Sequence, residues 1–126
     1  MGKKALQWHP AFQAALQVEL AKDRPFLRFY EEYNLSRKPL QMDTLIVKLE
    51  PGHSVSKSIG RIFRTYNIVE YKSPEDYISV NDFYKVLGYV CVYQADTRKV
   101  LEIVPEELTI TLVGDHYPGR LVRHLK

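Results

Sequence analysis

Two hydrophobic periods alternate along the chain, and their order predicts its architecture. Residues 11–22 follow Pro10, lack glycine, and place Phe12, Ala15, Leu16 and Glu19 at the i, i+3, i+4, i+7 spacing of a helix. Glu19 is the anomaly in that stripe, because a carboxylate would be centred on the inward face. After Asp23-Arg24-Pro25 the pattern becomes β-like. Residues 26–35 are aromatic and β-prone, Ser36-Arg37-Lys38-Pro39 reads as a turn, and residues 42–49 (Met-Asp-Thr-Leu-Ile-Val-Lys-Leu) read as a strand ended by Pro51-Gly52. A basic connector over 55–66 leads to a third strand at 67–72, which Ser73-Pro74 stops. Ser79-Val80-Asn81-Asp82 has the form of a helix cap with an acid three residues on. The helix it opens runs to about Gln94, with Phe83, Val86, Leu87, Val90 and Cys91 as the expected buried stripe. Gly88 on its flank suggests close approach to a strand. Residues 109–113 (Thr-Ile-Thr-Leu-Val) form a fourth strand. The predicted class is α/β (α+β): helix, strand, strand, strand, helix, strand. The short connections suit antiparallel pairing and the second helix allows a crossover, giving a mixed central sheet flanked by helices.

Composition narrows the setting. With 126 residues, 45% hydrophobic and 26% charged, the chain can bury the core of one domain spanning 1–126. No segment approaches the roughly 18 apolar residues of a membrane helix, and the basic N-terminus has no apolar run behind it. The single cysteine, Cys91, rules out an internal disulfide and fits a reducing, cytoplasmic setting. A formal charge of +3 permits a polyanionic partner without requiring one. Self-association is equally compatible. No glycine-rich phosphate loop is present, so no nucleotide cofactor is expected. His9, His53, His116 and His124 are scattered without the spacing of zinc ligands. Residues 119–126 begin an amphipathic pattern that stops without a cap, as expected of a chain cut short at its C-terminus.

The chemistry concentrates at Glu70-Tyr71-Lys72. Strand side chains alternate, so Glu70 and Lys72 share one face while Tyr71 takes the other. A carboxylate there could hold a divalent cation, and the amine could position an attacking water. If the second and third strands pair antiparallel, Asp43 at the start of one lies beside Glu70 at the end of the other. A helix over the sheet could bring Glu19 to the same corner. Converging carboxylates repel one another, and Mg²⁺ or Mn²⁺ would relieve this, since hard cations prefer oxygen ligands. Lys57, Arg61 and Arg64 could contact phosphates, with ordinary solvated loop charge as the alternative of at least equal weight. The competing reading is an ion-pair network on a half-exposed strand, since Asp/Glu-x-Lys turns up by chance about once in such a chain.

On these residues and their order, the chain resembles the PD-(D/E)XK nuclease superfamily, the restriction-endonuclease-like fold, over roughly residues 10–113. More narrowly, Gly60-Arg-Ile-Phe-Arg-Thr-Tyr-Asn-Ile-Val-Glu-Tyr-Lys-Ser-Pro, followed by Asp82-Phe-Tyr-Lys-Val-Leu-Gly-Tyr, is similar to uncharacterised gut-bacterial proteins akin to recombination-promoting, transposase-associated nucleases. The resemblance implies that Asp43 and Glu70 ligate the metal, that the Tyr71 carbonyl joins them, and that Lys72 is the catalytic lysine. Glu19 would be the additional helix carboxylate. Met42, where the motif has Pro, is a departure from the pattern. The implied activity is metal-dependent hydrolysis of DNA phosphodiester bonds. A catalytically silent module of the same fold, binding DNA or dimerising, and a plain interaction domain are the alternatives.

Overall fold

A computed structural model of the chain describes residues 8–31 and 44–126. Helix α1 (Trp8–Glu19) leads through a 3₁₀ segment (Ala21–Phe26) into strand β1 (Leu27–Glu31). Strands β2 (Thr44–Leu49) and β3 (Tyr66–Tyr71) follow, then helix α2 (Val80–Ala95), strand β4 (Leu108–Val113) and helix α3 (Gly119–Leu125). The strands form one sheet in the order β1-β2-β3-β4. β1 and β2 pair antiparallel, as do β2 and β3, while β3 and β4 run parallel across the α2 connection. The expected element order and mixed sheet are both present. Residues 32–35, the Ser36–Pro39 turn and residues 42–43 of the expected second strand lie outside the described residues.

The sheet is covered on both faces, which is why β2 and β3 read as continuous apolar runs. On one face, Leu45, Val47, Leu49 and Val69 pack with Leu16 and Leu20, and with Val55 and Phe63 from the β2–β3 connection. On the other, Ile46 and Ile68 pack with Val86, Tyr89, Val90 and Tyr93 of α2 and with Ile103. Gly60 sits in the β2–β3 connection because a Cβ there would lie 2.6 Å from a Val55 methyl. The buried line of α1 is Leu16 and Leu20, flanked by half-buried Phe12; Ala15 and Glu19 are exposed. The anomaly of Glu19 therefore disappears: the inward stripe steps by four and passes it by. The expected helix over 11–22 also ends early, and the chain tightens into the 3₁₀ segment that contains Pro25.

Helix α2 is rotated from its expected orientation. Val86 and Val90 face inward as anticipated, but Tyr89 and Tyr93 complete the stripe and Cys91 is exposed. Two aromatic rings bury far more apolar area than a thiol and a leucine, so they win the inward positions. Nor does Gly88 approach a strand: nothing stands within 4 Å of where its Cβ would be.

One polar side chain ties the layers together. Asn67 has no exposed surface. Its amide nitrogen donates to the carbonyls of Val47 and Arg64 at 2.9 and 2.7 Å. Its oxygen accepts from Arg64 N–H at 2.7 Å and from the Thr109 hydroxyl at 2.6 Å. Every donor and acceptor is used, so the amide links β2, the entry to β3, and β4.

Replacing Asn67 by Leu keeps the bulk but strands buried partners on three segments. We expect a loss of about 2–4 kcal/mol in urea denaturation, above the typical point-mutant value. Gly88→Ala should act in the opposite direction, stabilising by roughly 0.5–1 kcal/mol, because a helix-interior glycine with free space gains helix propensity at no steric cost.

Candidate functional site at the C-terminal end of the third strand

Alternation along β3 sends Tyr66, Ile68, Glu70 and Lys72 to the α2 face and Asn67, Val69 and Tyr71 to the α1 face. Glu70 is only 9% exposed. The residue opposite it on β2 is Thr44, whose hydroxyl donates to Glu70 Oε1 at 3.0 Å. Lys72 extends the pairing by one bond, its N–H donating to the Val113 carbonyl at 2.8 Å. Its ammonium reaches Asp82 in the first turn of α2, with Nζ 3.2 Å from Oδ1.

Asp82 is held from both sides. The Ser79 hydroxyl accepts from the Asp82 N–H at 3.1 Å, and Asp82 Oδ2 accepts from the Ser79 N–H at 2.8 Å, closing a capping box. Burial pushes the Asp82 pKa up, but the Ser79 hydrogen bonds and the neighbouring Lys72 ammonium outweigh it, so the net shift is downward. The surrounding loops are braced by contacts from the turn after β4. His116 Nε2 lies 2.9 Å from the Pro74 carbonyl, and its ring stacks on Tyr77 at 4.1 Å. Gly114 passes so close that a Cβ would sit 3.0 Å from Ile78 and 4.0 Å from the Lys72 Cβ.

Glu70 and Lys72 thus share a face at the end of β3, as the alternation predicts. Glu19 does not join them. It is exposed on α1, which covers the opposite face. The α1 residue near this end is Phe12, stacked on Tyr71 at 4.5 Å, and Glu19 lies about 10 Å further along the helix. Asp43 lies outside the described residues, and the position directly across from Glu70 belongs to Thr44. Lys57, Arg61 and Arg64 are exposed, but they precede β3 whereas Glu70 and Lys72 end it. A strand of this length separates the two groups by roughly 20 Å. Arg61 and Arg64 instead line a cavity of about 750 Å³ shared with Glu50, Glu106 and Glu107, which offset their charge. The expected cluster of cations beside the metal site is therefore not assembled.

A metal ion here would draw on Glu70 and the Tyr71 carbonyl; Asp82, on the same face, is committed to Lys72 and Ser79. Among the described residues no group of three or more His, Cys, Asp and Glu side chains could hold a metal ion. Sequence reasoning missed Asp82 as the partner of Lys72, although the signal was present. A helix that starts eight residues after Lys72 has little chain in which to carry its first turn away from the end of β3. It also missed Thr44, because antiparallel pairing alone does not say which residue stands directly across from Glu70. Comparison with known proteins gives no match, neither to a family model, nor to a curated protein, nor to a solved structure.

Because folding lowers its pKa, the Asp82 carboxylate contributes stability above its unfolded value, near pH 4, and loses it as pH falls through the lower folded value. Asp82→Asn should therefore reduce stability at pH 7 by roughly 1 kcal/mol and flatten the acid limb of the stability curve below about pH 4. Thermal melts from pH 2 to pH 7 check both.

Proposed function

We propose that the chain is a metal-dependent phosphodiesterase acting on DNA, with its site at the C-terminal end of β3. The observation that carries this reading is the placement of a nearly buried carboxylate, Glu70, and an ammonium, Lys72, on one face of the strand that joins an antiparallel to a parallel step. The helix–strand–strand–strand–helix–strand order supports a restriction-endonuclease-like core around it. In this reading Glu70, the Tyr71 carbonyl and Asp43 hold Mg²⁺ or Mn²⁺. The cation would stabilise negative charge on the phosphate and lower the pKa of a bound water. Lys72 offers a mobile positive charge for a phosphate oxygen or the attacking water. Glu19 has no part in it. Lys57, Arg61 and Arg64 could contact only a duplex long enough to span the sheet.

A second reading rests on the partners these groups already have. Thr44–Glu70 and Lys72–Asp82 together tie β2, β3 and α2, as a purely structural network would. The chain would then be a silent module of the same architecture.

Nicking of supercoiled plasmid separates the two. The nuclease reading expects wild-type cleavage with Mg²⁺ or Mn²⁺ that EDTA stops, and at least about 100-fold loss in Lys72→Ala. Calorimetric titration with Mn²⁺ should show binding retained in Lys72→Ala and lost in Glu70→Gln. A wild type that neither cuts any DNA form nor binds either cation, while both variants melt several degrees lower, would establish the structural network instead.

A further inference from the structure

β4 is an outer strand of the described sheet, and it lacks the features that keep outer strands from pairing. Its sequence, Leu-Thr-Ile-Thr-Leu-Val, carries no charge and no proline, and all six residues are only half-buried. One bond fixes which groups it turns outward. Lys72 N–H donates to the carbonyl of Val113, which stands opposite Tyr71 in the parallel register. In a parallel ladder such a residue directs both its backbone groups to that neighbour, and the next residue directs both away. Thr109, Thr111 and Val113 therefore bond to β3, and Leu108, Ile110 and Leu112 turn their carbonyls outward.

The side chains add a second observation. Leu108, Ile110 and Leu112 pack on the α2 side and Val113 on the α1 side, so Thr109 and Thr111 also face α1. The Thr109 hydroxyl donates to Asn67 Oδ1. The Thr111 hydroxyl is buried without a hydrogen-bond partner, alone in this among the side chains of the described residues. A buried hydroxyl left unpaired costs about 1–3 kcal/mol, so it calls for an explanation.

We infer that β4 pairs antiparallel with β4 of a second copy of this chain, about a two-fold axis through Ile110, joining the two sheets into one. Opposed residues of an antiparallel pair share a face, so the axis must pass through a residue. With Ile110 on the axis, Ile110 meets its own copy, Leu108 meets Leu112, and Thr109 meets Thr111. The Ile110 pair exchanges backbone bonds. The threonine pairs occupy the non-bonded positions, where Cα atoms approach to about 4.5 Å and side chains are nearest. A turn about χ1 brings each Thr111 hydroxyl from its buried position to the strand edge, where it donates to Thr109 Oγ1 of the other copy, whose own hydrogen is spent on Asn67. Both orphan groups are satisfied at once. An axis through Thr111 is worse on two counts: it opposes Glu107 to Asp115, and it leaves one threonine hydrogen without an acceptor.

The test combines cross-linking with a measurement on the unmodified protein. In a Cys91→Ser background, Thr109→Cys and Thr111→Cys are prepared separately and oxidised singly and mixed. A disulfide-linked dimer is expected in the mixture, because unlike cysteines face each other. Each variant alone should link far more slowly, since like positions lie about 8 Å apart, beyond disulfide reach. Thr111→Val should weaken the dimer about tenfold in sedimentation equilibrium. In the wild type, exchange of the Ile110 and Leu112 amides should slow as protein concentration rises. A wild type that stays monomeric at high concentration overturns the proposal. So does a dimer in which the mixed cysteine variants link no faster than either alone.

Discussion

The step on which this fold depends is the parallel pairing of β3 with β4, and the Asn67 amide stands at its start. Parallel strands need a crossover, so their contacts close a long loop before any reward is gained. Asn67 reaches β4 through Thr109, β2 through Val47, and the approach to β3 through Arg64. Its backbone pairs with Val47 as its side chain bonds that residue's carbonyl. Only an amide could do this, because the site needs two donors and an acceptor with two lone pairs in one plane. The strand order is thus specified by hydrogen-bond geometry as well as by burial.

The other end of the same strand is fastened by charge. Lys72 bonds β4 through its backbone and α2 through its ammonium, while Thr44 holds Glu70 to β2. Asp82 belongs to both the cap of α2 and the ion pair, so the start of the helix and the end of the strand are positioned together. A second buried carboxylate, Asp23, plays a similar local role, accepting from the N–H and hydroxyl of Ser56 to hold the 3₁₀ segment against the β2–β3 connection. Buried acids in this protein are matched by nearby donors.

How much of this was legible follows from what each element depends on. The strands of residues 42–49 and 67–72 and the cap at Ser79 rest on local pattern, and they appear close to where the pattern puts them. The facing of α2 was not legible. Tyr89 and Tyr93 compete with Leu87 and Cys91 for the inward side, and only the shape of the sheet decides between them. Register was half legible. Antiparallel pairing of the second and third strands followed from the short connection, but no local feature fixes the register that sets Thr44 opposite Glu70. Glu19 was misjudged for a similar reason, since stepping a helical stripe by three or by four residues gives different inward faces.

Whether Lys72 is free to act on a substrate turns on the strength of its hold on Asp82. The two side chains are 27% and 17% exposed, so water competes for both charges. A partly exposed pair of this kind contributes about 1 kcal/mol or less. Transferring the ammonium to a phosphate oxygen would replace one charge-assisted hydrogen bond by another, and Asp82 would keep its bonds to Ser79. The energetic barrier to recruiting Lys72 is therefore small. Glu70 differs. It is nearly buried, and the Thr44 hydroxyl is one of the groups that hold it. At the end of β3, then, the ammonium is held loosely and the carboxylate closely, so the two differ in how readily they exchange partners.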